Sequence, residues 1–77
     1  MTPDQCRAAR AILNLEQLDV ADRAGIARAT LIDFEKGQRA PRKATISAIR
    51  AALESAGVEF IDENGSGAGV RLRKVVK

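Results

Sequence analysis

The chain contains no histidine, no tryptophan and no tyrosine, and it has a single cysteine. Without histidine, Ser-His-Asp catalysis, Cys-His catalysis and histidine-ligated metals are all ruled out. Cys6 alone cannot close an internal disulfide, and there is no Cys/His cluster to hold zinc. Cysteine usage of this kind fits a reducing compartment, and Cys6 reads as a small hydrophobe on a helix face rather than a redox centre. Long hydrophobic runs are missing too: none approaches the ~20 residues that span a bilayer. The amino terminus lacks the basic-then-apolar pattern of an export signal. The expectation is a soluble, cytoplasmic protein with no cofactor and no metal. Aromatic residues are scarce as well, limited to Phe34 and Phe60.

What is present is mostly aliphatic. Over 77 residues, 45% are hydrophobic, enough for one folded domain with a modest core of Ala, Leu, Ile and Val. That composition suits short helices in close contact, and a core so small gains from oligomerisation. The net charge of +3 says less than its distribution. Arg28, Lys36, Arg39, Arg42 and Lys43 crowd one segment against Asp33 and Glu35, and Arg71, Arg73, Lys74 and Lys77 form a second basic run. Between the two lie Glu54, Glu59, Asp62 and Glu63.

Four helices can be read before residue 58. The first opens at Thr2-Pro3-Asp4-Gln5, a threonine cap followed by proline at the first helical position and glutamine three residues after the cap. Cys6, Ala9 and Leu13 then recur at helical spacing, and Asn14 is the expected stop. A second helix is expected over about Gln17–Ala24, with Asp19 in its first turn and Gly25 ending it in a left-handed conformation. A third follows over Arg28–Glu35, ended by Gly37 and Pro41. The fourth, from about Thr45 to Ala56, carries the stripe Ile46, Ile49, Leu53 and Ala56 and stops at Gly57. Beyond it the period changes. Val58-Glu59-Phe60 and Val70-Arg71-Leu72-Arg73 alternate apolar with charged residues around a glycine-rich loop, which predicts a β-hairpin. The fold class expected is therefore mainly α: a compact four-helix unit, residues 1–57, with a hairpin extension, residues 58–77, that is not an independent domain.

Helices two and three, joined by a tight glycine turn, have the proportions of a helix-turn-helix. A small residue is needed where they meet, and Ala21 supplies it. Ile26, Leu31 and Phe34 are expected to dock the third helix on the core, leaving Arg28, Ala29, Ile32 and Asp33 facing outward. The stretch from Leu15 to Pro41, and more loosely on to Val58, resembles the XRE family of lambda-repressor-like and Cro-like regulators. Gln17, Ala21, Gly25-Ile26, Leu31, Glu35-Lys36-Gly37 and Pro41 carry the resemblance, and the Glu-Lys-Gly-x-x-x-Pro ending is its most specific part. The departures are at the caps, where Glu16 and Ala27 stand in place of the usual Ser, Thr or Asn, and at Leu18, an apolar residue at a position that is usually charged.

The resemblance implies a sequence-specific regulator of transcription that binds double-stranded DNA, most simply a repressor acting as a homodimer on a palindromic operator. It implies base contacts from Arg28, Ala29, Ile32 and Asp33: an arginine suits guanine, a carboxylate accepts from cytosine N4, and small apolar groups meet a thymine methyl. Phosphate contacts would come from Gln17, Thr30, Lys36, Arg39, Arg42 and Lys43, with Gln17 also bracing helix three. Arg10 and Glu35 match a pair that forms a buried salt bridge in relatives. An antitoxin, using the same fold to bind a toxin partner and its own promoter, is the alternative. An enzyme finds no nucleophile–base pair here. The tail residues Arg71, Arg73 and Lys74 read equally as the polar face of a strand or as an auxiliary DNA contact.

A lone hairpin is marginally stable in water, and Val58, Phe60, Val70 and Leu72 would form one apolar face in need of a cover. The expectation is a dimer interface at these residues, within 58–76, by packing on a twin or by adding strands across a two-fold axis. The rival is a hairpin folded back on its own helices, with dimerisation through the fourth alone or only on DNA.

Overall fold

The computed structural model describes residues 1–73; the basic residues Lys74 and Lys77, and the expected interface beyond Arg73, lie outside it. Six elements follow in order: α1 (Pro3–Leu13), α2 (Gln17–Ala24), α3 (Arg28–Glu35), α4 (Lys43–Ala56), β1 (Val58–Ile61) and β2 (Gly69–Leu72). The fold class is the one the sequence predicts, four helices followed by an antiparallel hairpin.

Local chemistry accounts for the boundaries of α1. Gln5 N–H donates to the Thr2 hydroxyl at 3.1 Å while Thr2 N–H donates to the Gln5 side-chain oxygen at 2.8 Å, a reciprocal capping box. At the other end Asn14 takes a left-handed conformation, φ +58°. The α2 start lacks a hydroxyl cap, but Glu16 N–H donates to the Asp19 carboxylate at 3.0 Å. Gly25 ends α2 at φ +69°, and Ile26 N–H closes the turn on the Ala21 carbonyl at 3.0 Å. An added Cβ at Gly25 would meet nothing within 4 Å, so the demand for glycine there is conformational rather than steric.

The start of α4 and the strand ends depart from expectation. The α4 helix begins at Lys43, not Thr45. Arg42 is extended and acts as the cap residue, and Lys43 and Ala44 fill the first turn because both are better helix formers than threonine. In the hairpin, β1 continues to Ile61 and β2 begins at Gly69, in the register Val58 with Leu72, Glu59 with Arg71, Phe60 with Val70 and Ile61 with Gly69. The loop between them is organised by Glu63, whose carboxylate accepts from Gly65 N–H at 2.8 Å and Gly67 N–H at 2.9 Å.

The core gathers Cys6 and Ala9 from α1, Val20 and Ala21 from α2, Leu31 and Phe34 from α3, Ile49 and Leu53 from α4, and Val58 from β1. The hairpin is part of this core. Val58 is fully buried, and Phe60 and Val70 pack partly buried against the same cluster. This corrects the expectation that a second copy must cover the hairpin's apolar face. Its own α1 and α4 do so, and of the four residues assigned to a dimer interface only Leu72, at 62% exposure, stands open. The reason lies in two contacts that strand patterning cannot show. Gln5 Nε2 donates to the carbonyls of Ile61 at 3.1 Å and Gly69 at 2.8 Å. From α4, the Arg50 guanidinium lies 5.4 Å from the centre of the Phe60 ring and pairs with Glu54 and Asp62. Among the described residues no helix is long and apolar enough to cross a membrane.

Candidate nucleic-acid interface

The α3 helix has an inner and an outer side. Leu31 and Phe34 are buried beneath it, with Ile26 partly buried against the core just before it. On the outer side Arg28 and Ala29 are exposed, while Thr30, Ile32 and Asp33 are half-buried. The last two are thus less open than the sequence implies, because an eight-residue helix seated by Leu31 and Phe34 tucks its neighbours partly into the flanks. Beyond α3, Lys36, Arg39, Arg42 and Lys43 are all exposed. Asp33 and Arg39 share a small surface cleft with Thr30 and Pro41. Gln17, half-buried at the first position of α2, stands beside the carboxyl end of α3.

One buried carboxylate fixes the orientation of α3. Glu35, its last residue, is 3% exposed. It accepts from Arg10 Nε at 2.6 Å, Arg10 Nη2 at 2.8 Å, Gln17 Nε2 at 3.0 Å and Cys6 Sγ at 3.2 Å. Its backbone carbonyl accepts from Arg7. Three residues of α1 and one of α2 therefore converge on the end of α3. Burial pushes the Glu35 carboxyl upward, but the hydrogen bonds from Arg10, Gln17 and Cys6 outweigh it and hold the group below the usual carboxylate range. Its bond to Glu35 in turn raises Arg10. Burial and then the neighbouring carboxylate push the Cys6 thiol up to about 12, so at neutral pH Cys6 is a protonated donor. Every buried side-chain polar atom among the described residues has a partner.

Sequence reasoning named Arg10, Glu35 and Gln17, which the structure brings together. It missed Arg7, Cys6 and the long reach of Gln5. A signal for Gln5 existed: it lies on the same helical face as Cys6 and Ala9, and a polar side chain on a buried stripe must find partners.

The ion pairs divide the basic residues into two groups. Arg7, Arg10, Arg50 and Arg71 each pair with a carboxylate. Among the described residues Arg28, Lys36, Arg39, Arg42 and Lys43 pair with none. The cations along and after α3 are thus left with their charge uncompensated, as are Arg23 in α2 and Arg73 after β2. An exposed helix on a braced bihelical unit, ringed by unpaired cations, defines a DNA-binding module. Residues 7–60 match the family described as helix-turn-helix, and the chain belongs to that family. Its members are DNA-binding regulators of transcription, and the partner this implies is double-stranded DNA. No curated protein matches the chain in sequence.

Proposed function

We propose that the chain is an XRE-type repressor that binds a palindromic operator as a homodimer, with α3 in the major groove. The observation that carries this reading is the set of exposed, unpaired cations Arg28, Lys36, Arg39, Arg42 and Lys43 around an α3 whose orientation is fixed by Glu35. In this arrangement Arg28, Ala29, Ile32 and Asp33 address base edges. Gln17, Thr30, Lys36, Arg39, Arg42 and Lys43 address phosphates and set the register. Arg28 is the strongest candidate for sequence reading, since it is exposed at the first position of α3 and its guanidinium suits the two acceptors of guanine.

A single short helix reads only a few base pairs, so specificity calls for two copies about 34 Å apart along the duplex. The longest extent of one copy is 35 Å, so two copies side by side can reach successive major grooves on one face of the DNA. Repression then follows from occupancy, since a bound dimer shields the promoter it covers.

The test is a binding titration at several salt concentrations, together with footprinting of the region upstream of its own gene. With Lys36, Arg39, Arg42 and Lys43 on phosphates, each copy contributes about −3.6 to the slope of log affinity against log salt. A slope near zero would remove the DNA-binding reading, and a single protected half-site would remove the dimeric operator.

A further inference from the structure

One edge of β2 is paired with β1, and among the described residues no strand lies against the other. The register identifies the peptide groups on that free edge. Arg73 N–H donates to the Gly57 carbonyl at 2.7 Å. By the alternation of an antiparallel ladder, Glu59–Arg71 and Ile61–Gly69 are then the other hydrogen-bonded pairs. The N–H and C=O groups of Val70 and Leu72 therefore point away from β1. Two apolar features flank this edge. Leu72 is 62% exposed. Beside Val70, an open groove runs along α1, lined by Ala8, Ala11 and Ile12, and Ile12 is itself 40% exposed.

We propose that a second copy of this chain adds its own β2 antiparallel to this edge, in the register that sets Val70 of one copy opposite Leu72 of the other. The proposal deepens the operator-binding reading and rests on it for the need of two copies. In this register every outward peptide group of Val70 and Leu72 finds a partner on the other copy. Directly opposed residues share a face, so Leu72 of one copy settles beside Val70 of the other and over the groove of Ala8, Ala11 and Ile12. The exposed knob and the open groove complement each other twice, as a two-fold axis requires.

Charge favours the same arrangement. The loop end of each hairpin carries Asp62 and Glu63, and the open end carries Arg73. In this register Arg73 of each copy stands opposite Gly69 of the other, toward the loop end that carries Asp62 and Glu63. The one meeting of like charges, Arg71 with its twin on the axis, is softened because each Arg71 pairs with its own Glu59. A foreign strand would satisfy the edge but would lack this reciprocity of knob, groove and charge.

The experiment is light scattering of the full chain over a concentration series without DNA, with two variants. Leu72→Pro removes an N–H that takes no part in the intrachain ladder, so the thermal melt of the helices stays in place. By symmetry the dimer loses two hydrogen bonds, and its dissociation constant rises about thirtyfold. Arg71→Cys puts two thiols on the axis in a close pair, with a Cα separation of about 4.5 Å, and the variant links to its twin on oxidation. A wild-type chain that stays monomeric at every concentration, an Arg71→Cys variant that never links, or a dimer unchanged by Leu72→Pro overturns the proposal. A linked dimer that shows no preference for any operator supports this interface and sinks the operator reading. A monomer that footprints a palindrome does the opposite.

Discussion

Glu35→Ala tests the brace on α3 directly. The wild-type carboxylate is 3% exposed and receives two bonds from Arg10, one from Gln17 and one from Cys6. Deleting it strands the Arg10 guanidinium, and breaking one side of a buried pair costs about 3–5 kcal/mol. The Arg10 side chain is 21% exposed, so water recovers part of that charge's solvation and the lower end applies, about 3 kcal/mol. For a domain of this size, each kcal/mol lowers the melting temperature by about 4–8 °C, which gives a loss of about 12–24 °C. The assay is thermal and urea denaturation followed by helical circular dichroism. Asp33→Ala is the control, a half-buried residue whose side chain has no ion pair among the described residues, and it should move stability by no more than about 0.5 kcal/mol. The pH dependence supplies a second readout. Because the folded carboxyl titrates below its unfolded value, its stabilisation is present above about pH 4.3 and is lost as pH falls through the folded value. Glu35→Gln should lack that share of the acid loss. Equal melting shifts for Glu35→Ala and Asp33→Ala would refute the reasoning.

Three further outcomes are expected. Arg28→Ala should relax discrimination at one base pair by about 1–3 kcal/mol, whereas Lys43→Ala should weaken all DNA sequences alike; a binding-site selection experiment separates the two, and a uniform loss for both would reassign Arg28 to phosphate. Gln5→Ala should cost about 2 kcal/mol, because it removes half of a capping box and the links to Ile61 and Gly69. Amide exchange measured by NMR should speed up in the hairpin and leave α2 and α3 unchanged, and protection that is uniformly retained would count against the link. Cys6, raised to about 12 by burial and Glu35, should resist alkylation at pH 8 until denaturant is added. Its neutral form stabilises the fold fully below the unfolded thiol value, near 8.5, and that contribution fades as pH rises towards 12. Rapid labelling of the native protein would contradict this environment.

The helices were legible because their signals are local. The Thr2–Gln5 box, Asn14, Gly25 and the Glu35-Lys36-Gly37 ending each act within a few residues of their own position, and all fall where the sequence puts them. The start of α4 was misread by two residues because no side-chain cap marks it. The hairpin strands were legible from alternation, but their docking was not. Patterning shows that Val58 and Phe60 share an apolar face without saying what covers it. The answer depends on Gln5, which lies far from the strands in sequence, and on Arg50 in the preceding helix. At the interface, the residue types of the α3 face were readable from the motif. The half-burial of Ile32 and Asp33 depends on how α3 is seated on the core, and the number of donors on Glu35 on how α1 meets α3; no window of sequence holds that information.

The Gln5 side chain has a consequence for how the molecule comes apart. Its oxygen holds the first turn of α1 and its nitrogen holds both strands. Releasing the hairpin therefore takes both backbone acceptors from that nitrogen in the first turn of α1 and opens the pocket filled by Val58. The first turn of α1 and the hairpin should melt as one cooperative unit rather than fray separately. Gly57, which looks like a natural seam between a helical unit and an appendage, is thus a poor place to cut. A fragment ending there would lose Val58 from its core and half the restraint on α1. It would report on a damaged fold rather than on a binding domain freed of its dimerisation element.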